Sequence, residues 1–271
     1  MFARINHMAI TSPNWPMMGR FYEAVFGLQN SGRSRPMNAS TVGDGYAGLN
    51  INPQRDGQVG GLDHFGITVD DANEVLERAR KKFPEAAIVK RPSTRPFAAF
   101  SGADPGGNVF DLSERAKTKL DGIYADQEDT ESWKQDTYLN KFAIRTLHAD
   151  KCAEFYMEVF ELKPVNTKAP AGTHHMTDGR VTLTIMPWSI PIFEGMSIKR
   201  PGPDHIGFKV ESIDGLKKRI DEVVGGCSYL RPTPLGGGKE ADARKRLFAS
   251  SATGKYQMSD IDGTWIDVTD E

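Results

Sequence analysis

The sequence lacks the features that mark membrane, secreted and nucleic-acid-binding proteins. No segment approaches the roughly 18 consecutive apolar residues of a membrane span, and residues 1–10 lack the basic and apolar segments of a secretory signal. Neither sign of charge dominates, because 34 basic and 36 acidic residues leave a net charge of −2. We therefore predict a cytoplasmic protein with no nucleic-acid or membrane partner.

Cysteine is equally scarce. The two cysteines, Cys152 and Cys227, lie far apart in the sequence and show no metal-ligand spacing. This usage predicts reduced thiols, and a single disulfide stays open as the alternative.

What the sequence does contain is an internal repeat. Shifted by 134 positions, residues 6–53 align with residues 140–187 without a gap, and FYEAVFGL meets FYMEVFEL. Shifted by 141 positions, DHFGITV meets DHIGFKV, and DPGGNVFDLS meets DIDGTWIDVT after 15 extra residues in the later copy. The chain is therefore built from four units of about 60 residues in the order A-B-A′-B′.

Each unit has the pattern of one strand, one helix and three further strands. In unit A, Phe21, Val25 and Leu28 keep the 3-4 spacing of a helix, and the last three strands are expected at about 30–36, 38–43 and 46–53. The predicted fold class is α+β, with four βαβββ units paired into two domains, each a partly closed, curved barrel with helices outside. We place the domains at residues 1–115 and 139–271, joined by a charged linker over 116–138.

Three residues with metal-ligand chemistry occupy matching positions on predicted strands. His7, His64 and Asp111 each share a strand face with small residues, while the opposite face is apolar. Two imidazoles and one carboxylate can bind a divalent metal and leave coordination positions open. A lone strand histidine is more often a hydrogen-bonded core residue. The matched positions of all three residues favour a metal site.

These motifs carry a resemblance to a known family. The arrangement NHMAI…FYEAVFGL, followed by DHFGI…DPGGNVFDL, resembles the vicinal oxygen chelate superfamily, which includes glyoxalase I, epimerases, bleomycin-resistance proteins and type I extradiol dioxygenases. The resemblance covers all four units and implies that two units curve around one metal. It implies ligand positions at His7, His64 and Asp111, with Asn50 at a fourth position. Asp111 stands where the family usually has glutamate.

The C-terminal half has different chemistry at the same four positions, which are Lys141, Thr184, His205 and Asp267. A protonated lysine has no lone pair and repels a cation. We therefore expect the C-terminal domain to be metal-free. Lys141 is expected either to pair with Asp267 or to help hold an anion.

The strands around the proposed metal are expected to line a substrate pocket, formed by Asn50, Asn52, Arg95, Phe100 and Ser101. Arg95, like Arg91, is expected either to bind a substrate carboxylate or to be solvated at a strand end. Ser101 stands about where ring-cleaving members of the family place a helper tyrosine. No equivalent of their helper histidine is evident, so catalytic residues stay unassigned.

Together these features predict a metal-dependent enzyme acting on a small substrate that chelates the metal through neighbouring oxygens. The favoured activity is extradiol-type ring cleavage with Fe(II). The alternatives are a glyoxalase-type isomerase, epimerase or lyase using Zn, Mn or Ni, and a non-catalytic small-molecule binding protein. A monomer and a homodimer are both open.

Two further motifs receive structural interpretations. The segment GGGKEADARKR at 236–246 lacks the spacing of a phosphate-binding loop and is expected to be a flexible surface loop, or alternatively a lid. His174 and His175 are adjacent and so point to opposite faces of a strand. A surface position at a hairpin end is expected for them rather than a second metal site.

Overall fold

The computed structural model describes residues 2–30, 39–92, 98–115, 135–192 and 201–271. Arg95 and residues 116–134 of the predicted linker lie outside these ranges. Within them the chain forms one sheet of eight strands and one of seven, with helices, which confirms the α+β fold class. Hydrogen bonds do not close either sheet in the described part of the chain.

The N-terminal half forms the eight-stranded sheet. Its elements are β1 (Ala3–Ser12), α1 (Trp15–Phe26), β2 (Gln29–Asn30), β3 (Ser40–Gly43), β4 (Gly48–Pro53), β5 (Gly61–Val69), α2 (Ala72–Lys82), β6 (Ala87–Lys90), β7 (Phe100–Ala103) and β8 (Val109–Glu114). The strand order is β2-β3-β4-β1-β5-β8-β7-β6. The first strands of the two units, β1 and β5, are therefore neighbours at the centre of the sheet.

The C-terminal half repeats this arrangement. Its elements are β9 (Tyr138–Thr146), α3 (Ala149–Phe160), β10 (Lys163–Pro164), β11 (His174–Thr177), β12 (Thr182–Pro187), β13 (Gly202–Lys209), α4 (Ile213–Gly226), a 3-10 helix (Ser228–Leu230), α5 (Lys239–Ser251), β14 (Tyr256–Ser259) and β15 (Trp265–Thr269). The strand order is β10-β11-β12-β9-β13-β15-β14.

The fourth unit departs from the predicted pattern. Two strands follow its first helix instead of three, and helix α5 occupies the insertion. The flexible loop expected over 236–246 is therefore wrong for most of that segment. Only Phe248 of α5 is fully buried, so the helix has little of the apolar periodicity that reveals a helix in sequence.

Local sequence sets the ends of the other helices. Helix α1 has proline in its first turn and ends at Gly27, whose φ of +70° closes the helix through a hydrogen bond to the carbonyl of Glu23. Helix α2 begins after Asp71, whose side chain accepts hydrogen bonds from the backbone of Asn73 and Glu74.

Backbone contacts group the chain into two compact units, and each unit contains segments of both halves. The first comprises Met1–His7, His64–Leu120 and Lys141–Asp204. In it α2 packs on α3, and its core is a cluster of aromatic rings from Phe65, Phe110, Phe142, Phe155, Tyr156 and Phe160.

The second unit comprises Met8–Asp63, Asp121–Asn140 and His205–Glu271. In it α1 packs on α4, and Phe26 stacks on Phe208 with ring centroids 3.9 Å apart. The division of the chain at 116–138 that the sequence suggests stays a prediction.

One buried aspartate in each repeat links segments that are distant in sequence. Asp178 accepts a hydrogen bond of 2.7 Å from the backbone NH of Ile5, and Asp44 accepts one of 2.8 Å from Leu139. These two aspartates occupy equivalent turns in the sequence repeats A′ and A. Each accepts a hydrogen bond from the first strand of the other repeat.

The equivalent aspartates of the other two units bind tyrosines. Asp104 accepts a hydrogen bond of 3.0 Å from the hydroxyl of Tyr156, and Asp260 accepts one of 2.9 Å from the hydroxyl of Tyr22. Burial raises the pKa of Asp104 and brings that of Asp260 to about 6. All four aspartates also accept backbone hydrogen bonds within their own turns, so the Asp-containing turn motif has a structural role.

The expectations of reduced cysteines and of no membrane span can be compared with the structure. Cys152 and Cys227 are both free cysteines in the structure. None of the described helices is long and apolar enough to cross a bilayer.

Candidate metal centre

The structure brings together the three residues predicted as metal ligands. They lie on the adjacent strands β1, β5 and β8, and one ligand atom from each lies within 4.8 Å of the others. Oδ2 of Asp111 is 3.2 Å from Nε2 of His64 and 3.9 Å from Nε2 of His7. No other group of three His, Cys, Asp or Glu side chains forms such a cluster in the described ranges.

Gly66 makes room for the ring of His7. A Cβ atom built on Gly66 would lie 1.9 Å from Cε1 and 2.2 Å from Nδ1 of His7, far inside van der Waals contact. His7 is 1% exposed, so its ring cannot turn out into solvent without leaving its buried position. The glycine of the DHFG motif is therefore required by the position of the histidine on the neighbouring strand.

A buried hydrogen-bond chain sets the protonation of His7. Nδ2 of Asn6 donates to Oγ1 of Thr68 at 2.6 Å, so Oδ1 of Asn6 remains as an acceptor and lies 2.8 Å from Nδ1 of His7. Oγ1 of Thr68 lies 2.8 Å from Oγ of Ser113. This pattern assigns a proton to Nδ1 of His7 and leaves the lone pair of Nε2 directed at Asp111.

Breaking this chain is expected to weaken metal binding without removing a ligand. In Thr68→Val, Nδ2 of Asn6 loses its acceptor, and the amide is free to turn its NH2 group toward His7. We expect metal affinity to fall about 10- to 100-fold, measured by competition with a chelator. Ser113→Ala removes only the far end of the chain and serves as the control. An equal loss in both variants, or none in Thr68→Val, would contradict the assignment.

Asp111 is held in place from the side away from the histidines. Nη1 of Arg91 lies 2.8 Å from Oδ1 and 3.0 Å from Oδ2, and Oγ of Ser101 donates to Oδ1 at 3.0 Å. Ser101 is also the direct partner of Asp111 in the pairing of β7 with β8. Oδ1 therefore accepts from both Arg91 and Ser101, while Oδ2 accepts from Arg91 and lies close to both imidazoles.

The electrostatics of the site keep Asp111 ionised. Burial raises the pKa of the Asp111 carboxyl, but the hydrogen bond to His64 and the charge on that ring lower it. The charge of Arg91 lowers it further, as does His7 whenever its ring is protonated on both nitrogens. The net effect is a pKa below the usual value. The carboxyl is therefore a carboxylate over the neutral pH range, as a metal ligand must be.

The three side chains fit a divalent metal. Ligand atoms at about 2.0–2.2 Å from one ion lie roughly 3–3.5 Å from each other. The separations of 3.2 Å and 3.9 Å are close to this spacing, and the ligand nitrogens of the two imidazoles, which lie within 4.8 Å of each other, would move together when a metal binds. The shorter aspartate in place of glutamate is no obstacle, because Asp111 already reaches both imidazoles.

The residues predicted to line the substrate pocket are only partly placed. Phe100 and Ser101 lie on β7, which pairs with β8. Asn50 is buried on β4, and its Oδ1 accepts no hydrogen bond from another described residue. Asn52 follows on the same strand and donates to the carbonyl of Asn50 at 3.3 Å. Their roles, and that of Arg95, stay predictions.

Sequence reasoning missed the residues that orient the ligands. Thr68 shares its strand face with His64, and Ser113 shares one with Asp111, so the two-residue periodicity could have found them. Asn6 directly precedes His7, so the alternation of side chains predicts the opposite face for it, and yet its side chain contacts both His7 and Thr68. Arg91 was expected to bind a substrate carboxylate or water, and the structure gives it Asp111 as a partner.

The equivalent positions of the C-terminal half carry other contacts. Both oxygens of Asp267 accept hydrogen bonds from the backbone NH of Gly254, at 3.1 and 3.0 Å. His205 is buried, and its ring packs against Phe248 with centroids 5.1 Å apart. The hydroxyl of Thr184 lies 2.9 Å from Nδ1 of His175. A metal-free C-terminal domain stays a prediction.

The paired histidines on β11 differ from each other. His174 is partly exposed and pairs with Asp150 at 2.6 Å, as expected for a surface position. His175 is 5% exposed, so the surface position predicted for it is wrong. The alternation of side chains along a strand predicts that the two rings lie on opposite faces of β11. It does not predict that one of these faces is buried.

Comparison with known proteins agrees with this fold. Residues 4–112 match the family model of the glyoxalase/bleomycin resistance protein/dioxygenase superfamily, which confirms the predicted resemblance over that range. No curated protein sequence matches the chain.

Solved structures of similar fold cover nearly the whole chain. A Mn(II)-bound glyoxalase from Novosphingobium aromaticivorans is 11% identical, with a TM-score of 0.64 over 99% of this chain and 82% of that one. An extradiol ring-cleaving dioxygenase from B. fuscum is 14% identical, with a TM-score of 0.62 over 98% and 71%. A variant of 4-hydroxymandelate synthase from Streptomyces coelicolor is 15% identical, with a TM-score of 0.60 over 98% and 92%. At these identities the likeness establishes the shared fold.

Proposed function

We propose that the protein is a divalent-metal-dependent enzyme acting on a small substrate that chelates the metal through two neighbouring oxygens, and that its reaction is extradiol-type ring cleavage. The observation that carries the proposal is the cluster of His7, His64 and Asp111. Two imidazoles and one carboxylate, leaving open positions, are the donor set typical of non-haem Fe(II) oxygenases. Fe(II) is accordingly the favoured metal.

The ligand residues have complementary roles in this proposal. Bound there, Fe(II) would act as a Lewis acid toward the substrate oxygens and provide an open position for O2. Asp111 supplies the negative charge, and Nε2 of His7 presents the lone pair fixed by Asn6. His64 is the most exposed of the three, with 18% of its side chain accessible, so substrate would enter on its side.

Arg91 contributes a second function in the proposal. Its side chain is 30% exposed while it holds Asp111, so part of it stays accessible to a ligand. An arginine in that position can also pair with an anionic group of the substrate. Arg95, outside the described residues, is a second candidate for this role, and Phe100 for contact with a substrate ring.

The metal is tested first. Untagged protein is expected to contain one equivalent of divalent metal, measured by elemental analysis, and His7→Ala, His64→Ala and Asp111→Ala are expected to lose it. The control is His174→Ala, which removes an exposed imidazole and is expected to retain the metal. Metal-free wild-type protein that still binds small ligands would indicate the non-catalytic alternative.

The reaction is tested second. Protein loaded with Fe(II) is expected to consume O2 with at least one member of a panel of catechols and hydroquinones. If no member supports O2 uptake although the metal is bound, the glyoxalase-type alternative becomes the better proposal. The Mn(II)-bound glyoxalase of similar fold makes Mn the first metal to load in that case. A cytoplasmic location and the choice between monomer and homodimer remain predictions.

A further inference from the structure

Helix α5 and the segment before it enclose a small cavity in the fourth repeat. Its volume is about 190 Å³, and its walls come from residues 233–235, from α5 and from the β14–β15 hairpin. The same insertion contains the glycine-rich GGGKEADARKR motif. All the lining residues belong to the C-terminal segment of one compact unit, and none is a candidate metal ligand.

Two aromatic rings form the apolar part of this cavity. Phe248 and Trp265 are stacked, with centroids 4.8 Å apart and planes inclined by 25°. Phe248 is fully buried, whereas Trp265 is partly exposed and has a ring surface available to a ligand. Flat, apolar walls of this kind favour a planar, unsaturated partner.

Two cations form the polar part. Arg244 and Lys245 of α5 both line the cavity, and neither forms an ion pair with a described residue. The hydroxyls of the wall donate elsewhere: Thr233 donates to the carbonyl of Ile261 at 3.0 Å, and Ser259 donates to the carbonyl of Thr233. The charged donors on the cavity wall are the guanidinium of the half-buried Arg244 and the ammonium of the exposed Lys245, and both groups bind anions. The indole N–H of Trp265 is a further, neutral donor.

We propose that this cavity binds a small aromatic carboxylate. The ring lies against the accessible part of Trp265, which Phe248 supports from behind, and the carboxylate accepts hydrogen bonds from Arg244 and Lys245. The volume is below the roughly 300–1,000 Å³ of pockets for drug-sized ligands, so the ligand has a single ring. The site is separate from the metal cluster and does not depend on the proposed function.

The experiment uses benzoate as the probe and intrinsic tryptophan fluorescence as the signal, and Trp265→Phe shows how much of the change comes from Trp265 among the four tryptophans. Metal-stripped His7→Ala protein is the background, so that binding at the metal cluster does not contribute. Benzoate is expected to change the fluorescence saturably, and Arg244→Gln is expected to weaken binding at least about tenfold, since a charge-assisted hydrogen bond is lost. Arg246→Gln, an exposed position on the same helix outside the cavity wall, is expected to bind as the background does.

Further measurements test the contributions of the ligand's ring and of its carboxylate one at a time. Benzyl alcohol has the ring without the carboxylate, acetate has the reverse, and both are expected to bind at least about tenfold more weakly than benzoate. Ala241→Phe fills the cavity while leaving both cations in place, and is expected to abolish binding measured by calorimetry. The proposal is overturned if benzoate does not bind saturably, if benzyl alcohol binds equally well, or if Arg246→Gln loses as much affinity as Arg244→Gln.

Discussion

Gly66→Ala is expected to abolish stoichiometric metal binding while the protein stays folded. The new methyl group would lie 1.9 Å from Cε1 and 2.7 Å from Nε2 of His7, and the buried ring cannot avoid it without leaving its hydrogen bond to Asn6. A ligand displaced by about 1 Å no longer matches the distances that a metal requires, which tolerate about 0.2 Å. Elemental analysis and circular dichroism measure the two parts of this expectation.

The matched control is another glycine-to-alanine change. Gly225 lies in helix α4, and a Cβ atom there meets no other atom within 4 Å. Gly225→Ala is expected to keep the metal and to stabilise the protein by about 0.5–1 kcal/mol, because alanine is the better helix former. Retention of one equivalent of metal by Gly66→Ala would mean that His7 is not a ligand in its present position.

Asp104→Ala is expected to destabilise the protein by about 4 kcal/mol, since several buried donors would each lose their acceptor. Asp104 is 2% exposed. It accepts from the backbone of Gly106 and Asn108 at 2.9 Å each, from the side chain of Asn108, and from the hydroxyl of Tyr156. The free energy of unfolding is measured by urea denaturation, with the slope checked for constancy.

Two variants calibrate this loss. Tyr156→Phe removes only one of the donors and is expected to cost about 1 kcal/mol. Asp56→Ala removes a carboxylate from an exposed turn and is expected to change stability by less than about 0.5 kcal/mol. A cost for Asp104→Ala no larger than that of Tyr156→Phe would show that water replaces the lost acceptor, and that the turn aspartates contribute little to stability.

The repeat pattern made much of the fold predictable. Equivalent segments predicted equivalent strands, and counting side chains in twos placed His7, His64 and Asp111 on faces that the structure brings together. This reasoning succeeds because the pairing of β5 with β8 sets Gly66 opposite Asp111. His64, two residues before Gly66, therefore lies on the same face of the sheet as Asp111. Strand parity is a local property, and it is present in the sequence.

The remaining features depend on contacts that no local pattern contains. Arg91 and Asp111 are 20 positions apart and meet only because β6, β7 and β8 fold as successive antiparallel neighbours. Helix α5 buries one residue, so its periodicity is too weak to predict it. The burial of His175 depends on what covers its side of β11, which the alternation of side chains does not specify.

The composition of the compact units has a consequence for synthesis of the chain. The backbone NH of Ile5 donates a hydrogen bond to Asp178, which lies 173 positions later in the sequence. The hydroxyl of Tyr22 donates one to Asp260, which lies 238 positions later. Because a chain is synthesised from its N-terminal end, Ile5 and Tyr22 leave the ribosome before the aspartates that bind them have been made. Long-range closure of this kind slows folding. The first half therefore depends on the second for its native contacts.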